Sequence, residues 1–233
     1  MKKLALLFAL VSSCFVSAQH FAGAHIDAGL GHYLSLNEGT KEVNQFYKPI
    51  FTGGIGFQYG YDLSLSWQIM SGVNLHIKGE KYVVDYESLT FPDFIDDFYG
   101  FVIPIDEKPT GNISAQHHYY SIQIPLTVRY LFNSSKPNHW FVGLGCAVNY
   151  VAAYCVNSEG YKNHTKRIQD NGQQFIPGVL LETGFQQNSG NGGRISYGVK
   201  YDQNLAGFYP ATSVYQDWYY NVGVSIAYLW SVN

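Results

Sequence analysis

The sequence predicts an all-β fold, an eight-stranded antiparallel up-and-down transmembrane β-barrel, on three observations. Apolar and polar residues alternate at period two in eight separate runs. The connections between those runs alternate between short and long. Charged residues make up only 13% of a chain that carries 20 Tyr, 15 Phe and 4 Trp, too few to wet the outside of a 233-residue soluble protein.

Residues 1–18 read as an export signal, which leaves 19–233 as the barrel domain. Lys2 and Lys3 form a basic start, and "LALLFALV" (4–11) is an apolar stretch too short to cross a bilayer as a helix. "VSAQ" (16–19) then offers a small-residue cleavage site after Ala18, with lipidation at Cys14 in "VSSC" the weaker alternative. Loss of Lys2 and Lys3 reduces the 14 basic residues to 12 against 17 acidic ones, formally −5. No basic patch suggests nucleic acid. Cys146 and Cys155 are the thiols that remain, with Cys146 inside an extended run, so no disulfide framework is expected.

The first run places Ala22, Ala24, Ile26, Ala28 and Leu30 on one face, with His25 and Asp27 on the other. The second sets Phe51, Ile55, Phe57, Tyr59 and Tyr61 against Thr52, Gly54, Gly56 and Gln58. The third sets Leu65, Trp67, Ile69, Val73, Leu75 and Ile77 against Ser64, Ser66, Gln68, Asn74, His76 and Lys78. The fourth is "YYSIQIPLTVRYLF" (119–132), apolar at every even position from Tyr120 to Phe132. Pro125 lies on its polar face with Ser121, Gln123, Thr127 and Arg129. The apolar phase continues through the proline, so a missing rung without a change of register is expected there.

The fifth run sets Trp140, Val142, Leu144, Cys146, Val148 and Tyr150 against Gly143, Gly145 and Asn149. The sixth sets Phe175, Val179, Leu181 and Phe185 against Gly178, Glu182 and Gly184. The seventh sets Ile195, Tyr197, Val199 and Tyr201 against Arg194, Ser196, Lys200 and Asp202. The eighth alternates from Trp218 to Trp230 around Asn221, Gly223 and Ser225.

Tight links fall near 60–64, 133–138 ("NSSKPN") and 188–193 ("NSGNGG"), all rich in turn residues. Long links fall near 35–49, 79–117, 154–173 and 203–216. Short periplasmic turns and long extracellular loops are the build of bacterial outer-membrane barrels. That arrangement puts Asp93 and Lys162 outside the cell, and Ser134 and Asn191 in the periplasm. Aromatic residues at the strand ends, among them Trp67, Tyr130, Trp140 and Trp230, suit the two membrane interfaces. A soluble lipocalin-like barrel or β-sandwich is the competing fold. Its polar face would carry many more Lys and Glu than the Gly, Ser and Asn found here.

The stretches "YYSIQIPLTVRYLF", "SWQIMSGVNLHIKGEKY" (66–82) and "GVKYDQNLAGFY" (198–209) resemble the outer-membrane β-barrel domain of PorT-like proteins of Bacteroidetes. The "IPL" strand and the "KG" that closes strand three are the most specific parts of that resemblance. It extends over nearly all of the chain after residue 18. It implies an eight-stranded barrel in the outer membrane of a Gram-negative cell, and it implies no catalytic residue.

Eight strands enclose a space just wide enough for their own side chains. Inward residues such as His25, Asp27, Asn74, Lys78 and Gln123 therefore predict a hydrogen-bonded plug rather than a pore. Glu182 lies near a periplasmic turn, with Lys200 on the returning strand and Arg129 at a similar height. Together with Arg194, these residues are expected to form a structural interior charge cluster, because an unpaired carboxylate there would be costly.

Catalysis would need a nucleophile, a base and an orienting acid within reach of one another. The rim candidates are His32, His117, His118, Ser121 and Asp217, and their strand phases separate them. No catalytic, cofactor-binding or metal site is expected, and the His117–His118 pair lacks a third ligand at a suggestive spacing. The 79–117 link is acidic, formally −6, and carries "FPDFIDDFYGFVIPI". Asp93, Asp96 and Asp97 there lack the spacing of a calcium loop. The expectation is a non-enzymatic outer-membrane protein with an envelope-structural or surface-binding role. Its partners would be outer-membrane lipid and lipopolysaccharide, with an extracellular protein or small ligand at the loops. The alternative is an enzyme acting on lipid or peptide at the extracellular rim.

Overall fold

The computed structural model describes residues 19–35, 45–85, 112–158, 164–166, 175–189, 192–205 and 217–232. The export signal, Asp93, Asp96, Asp97, Lys162 and Asn191 lie outside the described residues. Eight strands form the wall: β1 (His20–Ser35), β3 (Ile50–Asp62), β4 (Trp67–Asp85), β5 (Asn112–Phe132), β6 (Asn138–Ser158), β8 (Phe175–Asn188), β9 (Arg194–Asn204) and β10 (Asp217–Val232). Two short pieces add to it, β2 (Tyr47–Lys48) on β4 and β7 (His164–Lys166) on β6. Each wall strand pairs antiparallel with the next, and β1 pairs with β10 from His20↔Val232 to Ser35↔Asp217. The ring is closed.

The period-two pattern decides which way each side chain points. Phe51, Ile55, Leu75, Leu144 and Val224 are each more than half exposed on the outside, whereas Thr52, Asn74, Gln123 and Asp202 are 0% exposed on the inside. This is a soluble protein turned inside out, apolar where it meets its surroundings and polar at its centre. The continuous apolar belt matches a bilayer, in which a closed ring leaves no backbone group unpaired.

Pro125 behaves as its phase requires. On the β6 side Pro125 pairs with Ala147 in an unbroken ladder. On the β4 side the pairing stops at Ser71↔Leu126 and resumes at Asn74↔Gln123 in the same register. The missing rungs lie where proline has no N–H to give, and the Ser71 hydroxyl donates to the Pro125 carbonyl at 2.9 Å. The register shift in β5–β6 lies elsewhere, between Tyr120↔Ala153 and Ser121↔Val151. Ala152 is the extra residue, and beyond it the two faces of β6 exchange sequence parity.

The links differ from expectation at their edges. Residues 63–66 make the first tight turn, with Leu63 and Ser64 N–H groups donating to the Trp67 carbonyl. Leu65, expected in strand three, therefore sits in that turn, 82% exposed. The 79–117 link is not loop throughout, because 79–85 belong to β4 and 112–117 to β5. Residues 154–158 likewise continue β6, and 203–204 complete β9. The amphipathic phase in these stretches breaks down above the apolar belt, while the backbone pairing carries on.

A closed ring of this kind resists unfolding by detergent. On SDS gels the membrane-assembled protein is expected to migrate faster unboiled than boiled. A single mobility at both temperatures would contradict closure.

Candidate functional site

The interior is built in tiers between two apolar layers. At the end carrying the three tight turns, Arg194 lies with its guanidinium 3.5 Å from the Phe21 ring centroid. It donates to Asp62 at 2.7 and 3.1 Å and to Gln19 at 3.3 Å. Gln68 donates to the same Asp62 carboxylate at 2.8 Å. Phe21, Met70 and Leu229 pack above this latch.

The next tier is an ion pair. Arg129 Nε and Nη2 donate to the two oxygens of Glu182 at 2.6 and 2.9 Å. Such a bidentate pair fixes orientation as well as charge. The Arg129 guanidinium also lies 4.5 Å from the Phe141 ring centroid. Gly143 makes the room: a Cβ there would come within 2.6 Å of Glu182.

The central tier holds the largest network. Lys78 donates to Asp202 at 2.6 Å, to Asn149 at 3.2 Å and to Asn204 at 3.3 Å. Gln123 donates to Asp202 and Asn149 and accepts from Lys200 at 3.1 Å. Alongside, the Nε2 atoms of His25 and His76 donate to Asp27 at 3.2 and 2.8 Å, and Thr52 donates to Asn221 at 2.7 Å.

Toward the opposite end Tyr119, Val151, Ile176 and Tyr219 form a second apolar layer. There the Tyr119 hydroxyl donates to Glu80 at 3.2 Å, and His117 Nδ1 lies 3.7 Å from the same oxygen. The polar tiers thus lie between two clusters of buried apolar side chains.

Of the four residues expected to cluster, Arg129 and Glu182 meet. Lys200 is the direct cross-strand partner of Glu182, but its ammonium turns to Gln123. Arg194 does not join them and pairs with Asp62 instead. Six residues separate Arg194 from Lys200 along β9, roughly 20 Å of extended strand, which puts Arg194 level with the end of β3.

Of the rim candidates for catalysis, His32, His117, His118 and Ser121 do not converge, and the Asp217 side chain lies outside the described residues. His32 stacks on Tyr220 outside the wall, with ring centroids 5.6 Å apart. His117 is buried inside and His118 is half-buried on the opposite face. The Ser121 hydroxyl donates to the His76 carbonyl at 3.3 Å. Sequence reasoning missed Glu80 and Tyr119 as one unit, because both lay in or beside a stretch read as loop. It also left Asp27 without its second histidine. The signal available for the first was the His25–Asp27 spacing of two on one face.

Neither a protein-family model nor a curated protein sequence matches the chain. The solved structures to which the chain is similar include three bacterial proteins. Neisserial surface protein A is 12% identical, with 89% of this chain and 95% of that chain covered and a TM-score of 0.45. The outer membrane protein OprG from Pseudomonas aeruginosa is 10% identical over 93% and 96%, with a TM-score of 0.44. Ail, the attachment invasion locus protein of Yersinia pestis, is 11% identical over 91% and 99%, with a TM-score of 0.38.

Removing the Glu182 carboxylate strands a buried guanidinium. Glu182→Ala is expected to lower unfolding stability by about 3–5 kcal/mol. Adding Arg129→Met should return most of it, as measured by urea titration in detergent. Equal instability of the single and double variants would contradict a paired role.

Proposed function

We propose that this chain is an integral, non-enzymatic barrel of a Gram-negative outer membrane, exported by its N-terminal signal, that works by surface binding. The observation that carries this reading is the apolar belt around a closed ring. Every wall strand contributes exposed Ile, Leu, Val, Phe, Tyr or Trp to it. A closed antiparallel ring with that exterior needs lipid around it and is the form in which β-structure crosses a bilayer. The likeness of 66–82, 119–132 and 198–209 to PorT-like barrels of Bacteroidetes supports the same placement.

Binding rather than transport follows from the filled interior, since diffusion porins use about 16 to 18 strands. Three neighbouring strands also outrun the membrane. A tilted strand crosses with roughly 9–11 residues, whereas β4, β5 and β6 run for 19, 21 and 21. Their pairing continues from Lys78↔Tyr119 to Asp85↔Asn112, and from Tyr120↔Ala153 to Ala115↔Ser158. With β2 on one margin and β7 on the other, they make one extended sheet, and the 86–111 segment joins β4 to β5. That segment carries the acidic and aromatic residues suited to a protein partner outside the cell, while lipid and lipopolysaccharide surround the wall below.

Deleting 86–111, rather than 79–117, spares the paired strands. The shortened protein should keep its heat-modifiable migration and lose binding of surface partners. Retained binding would move the function elsewhere. In a Cys146→Ala/Cys155→Ser background, a cysteine placed at 93 should react with an impermeant maleimide on whole cells, and one at Ser134 should not. The reverse labelling would invert the proposed topology.

A further inference from the structure

The central tier contains a cavity of about 20 Å³, lined by His25, Gln58, Asn74, Glu182, Lys200 and Ser225 among others. Three of those residues bring a buried atom that makes no hydrogen bond within the protein: His25 Nδ1, Gln58 Oε1 and Asn74 Oδ1. His25 is 3% exposed and Asn74 is 0% exposed. Buried polar atoms are bonded in nearly all proteins, so three on residues that line one cavity point to a partner within it. The His25 ring spends its Nε2–H on Asp27, so in the neutral ring Nδ1 is an acceptor. All three orphaned atoms therefore want a donor.

The charges around the cavity narrow the occupant. Three of the interior cations are matched in contact pairs, Lys78 with Asp202, Arg129 with Glu182 and Arg194 with Asp62. Lys200 forms no salt bridge among the described residues and donates to Gln123 at 3.1 Å. Asp27 is met by two histidines and, among the described residues, by no lysine or arginine in a salt bridge. A cation in the cavity would face the Lys200 ammonium, and an anion would face the Glu182 carboxylate. A small neutral molecule that both donates and accepts fits both. The volume suits one or two water molecules, each needing roughly 10–15 Å³ and two to four polar partners.

We propose that this cavity is a built-in water site. Two waters there donate between them to His25 Nδ1, Gln58 Oε1 and Asn74 Oδ1 and accept from Lys200, making Asp27 and Lys200 a water-separated ion pair through the His25 ring. The fourth interior cation is thus matched without direct contact, and the barrel's two polar clusters become one network. Gly56 preserves this arrangement, since a Cβ there would come within 2.3 Å of Asn74 Oδ1.

The test uses isotope-labelled protein purified in detergent micelles, with water-to-protein cross-relaxation read at the His25 ring protons. A long-lived water signal is expected in the native protein. It should disappear in Ser225→Val, whose methyl groups occupy the cavity, while the barrel still runs heat-modifiable. Absence of the signal in the native protein overturns the proposal. Gln58→Leu gives an independent sign. If Oε1 binds water, its loss lowers the urea midpoint. If the cavity is dry, replacing an unbonded buried carbonyl with an apolar group of similar size raises the midpoint, and that result overturns the proposal too.

Discussion

Lipid offers no hydrogen bonds, and the architecture follows from that one constraint. Every backbone N–H and C=O in the apolar belt must find its partner within the wall. An open sheet would leave two edges, so β1 pairs with β10 along its whole length. Pro125 is the one wall position in the "IPL" strand that cannot donate. Its rungs to β4 are absent, and the Ser71 side chain takes up the proline carbonyl in their place. The fold tolerates the defect because the repair is local.

Closure with eight strands then dictates the interior. The lumen is too narrow for a column of bulk water, so inward charges lie in a low-dielectric space where an unpaired ion is expensive. They are met by several partners each. Lys78 has three oxygen acceptors, and Asp202 serves both Lys78 and Gln123. Small residues on the inner face permit this density, as Gly143 does beneath Glu182. The aromatic and aliphatic layers at either end keep the tiers from solvent.

Much of this was legible in the sequence. The phase of the strands within the apolar belt, the tight links near 133–138 and 188–193 and the inward direction of Arg129 and Glu182 follow from alternation and turn chemistry, whereas the first link, expected at 60–64, lies at 63–66. Other features were not. Strand length above the membrane was hidden because "GEKYVVD" (79–85) loses its apolar phase once neither face touches lipid. The bulge at Ala152 gave no residue signal, since alanine is at home in either phase. Leu65 was misplaced because an apolar residue in a serine-rich turn imitates one more step of alternation.

Sequence alone decided which side of the wall most residues of the apolar belt face, because period two is a property of a single strand and needs no knowledge of its neighbours. Only the tertiary structure decided which inward groups meet. Arg194 and Asp62 lie on β9 and β3, with β10 and β1 between them in the ring. Lys78 on β4 reaches Asp202 on β9 across the lumen. Such pairs are chords across a closed ring. They are fixed by the stagger of eight strands and the width of the barrel, and no interval along the chain encodes them.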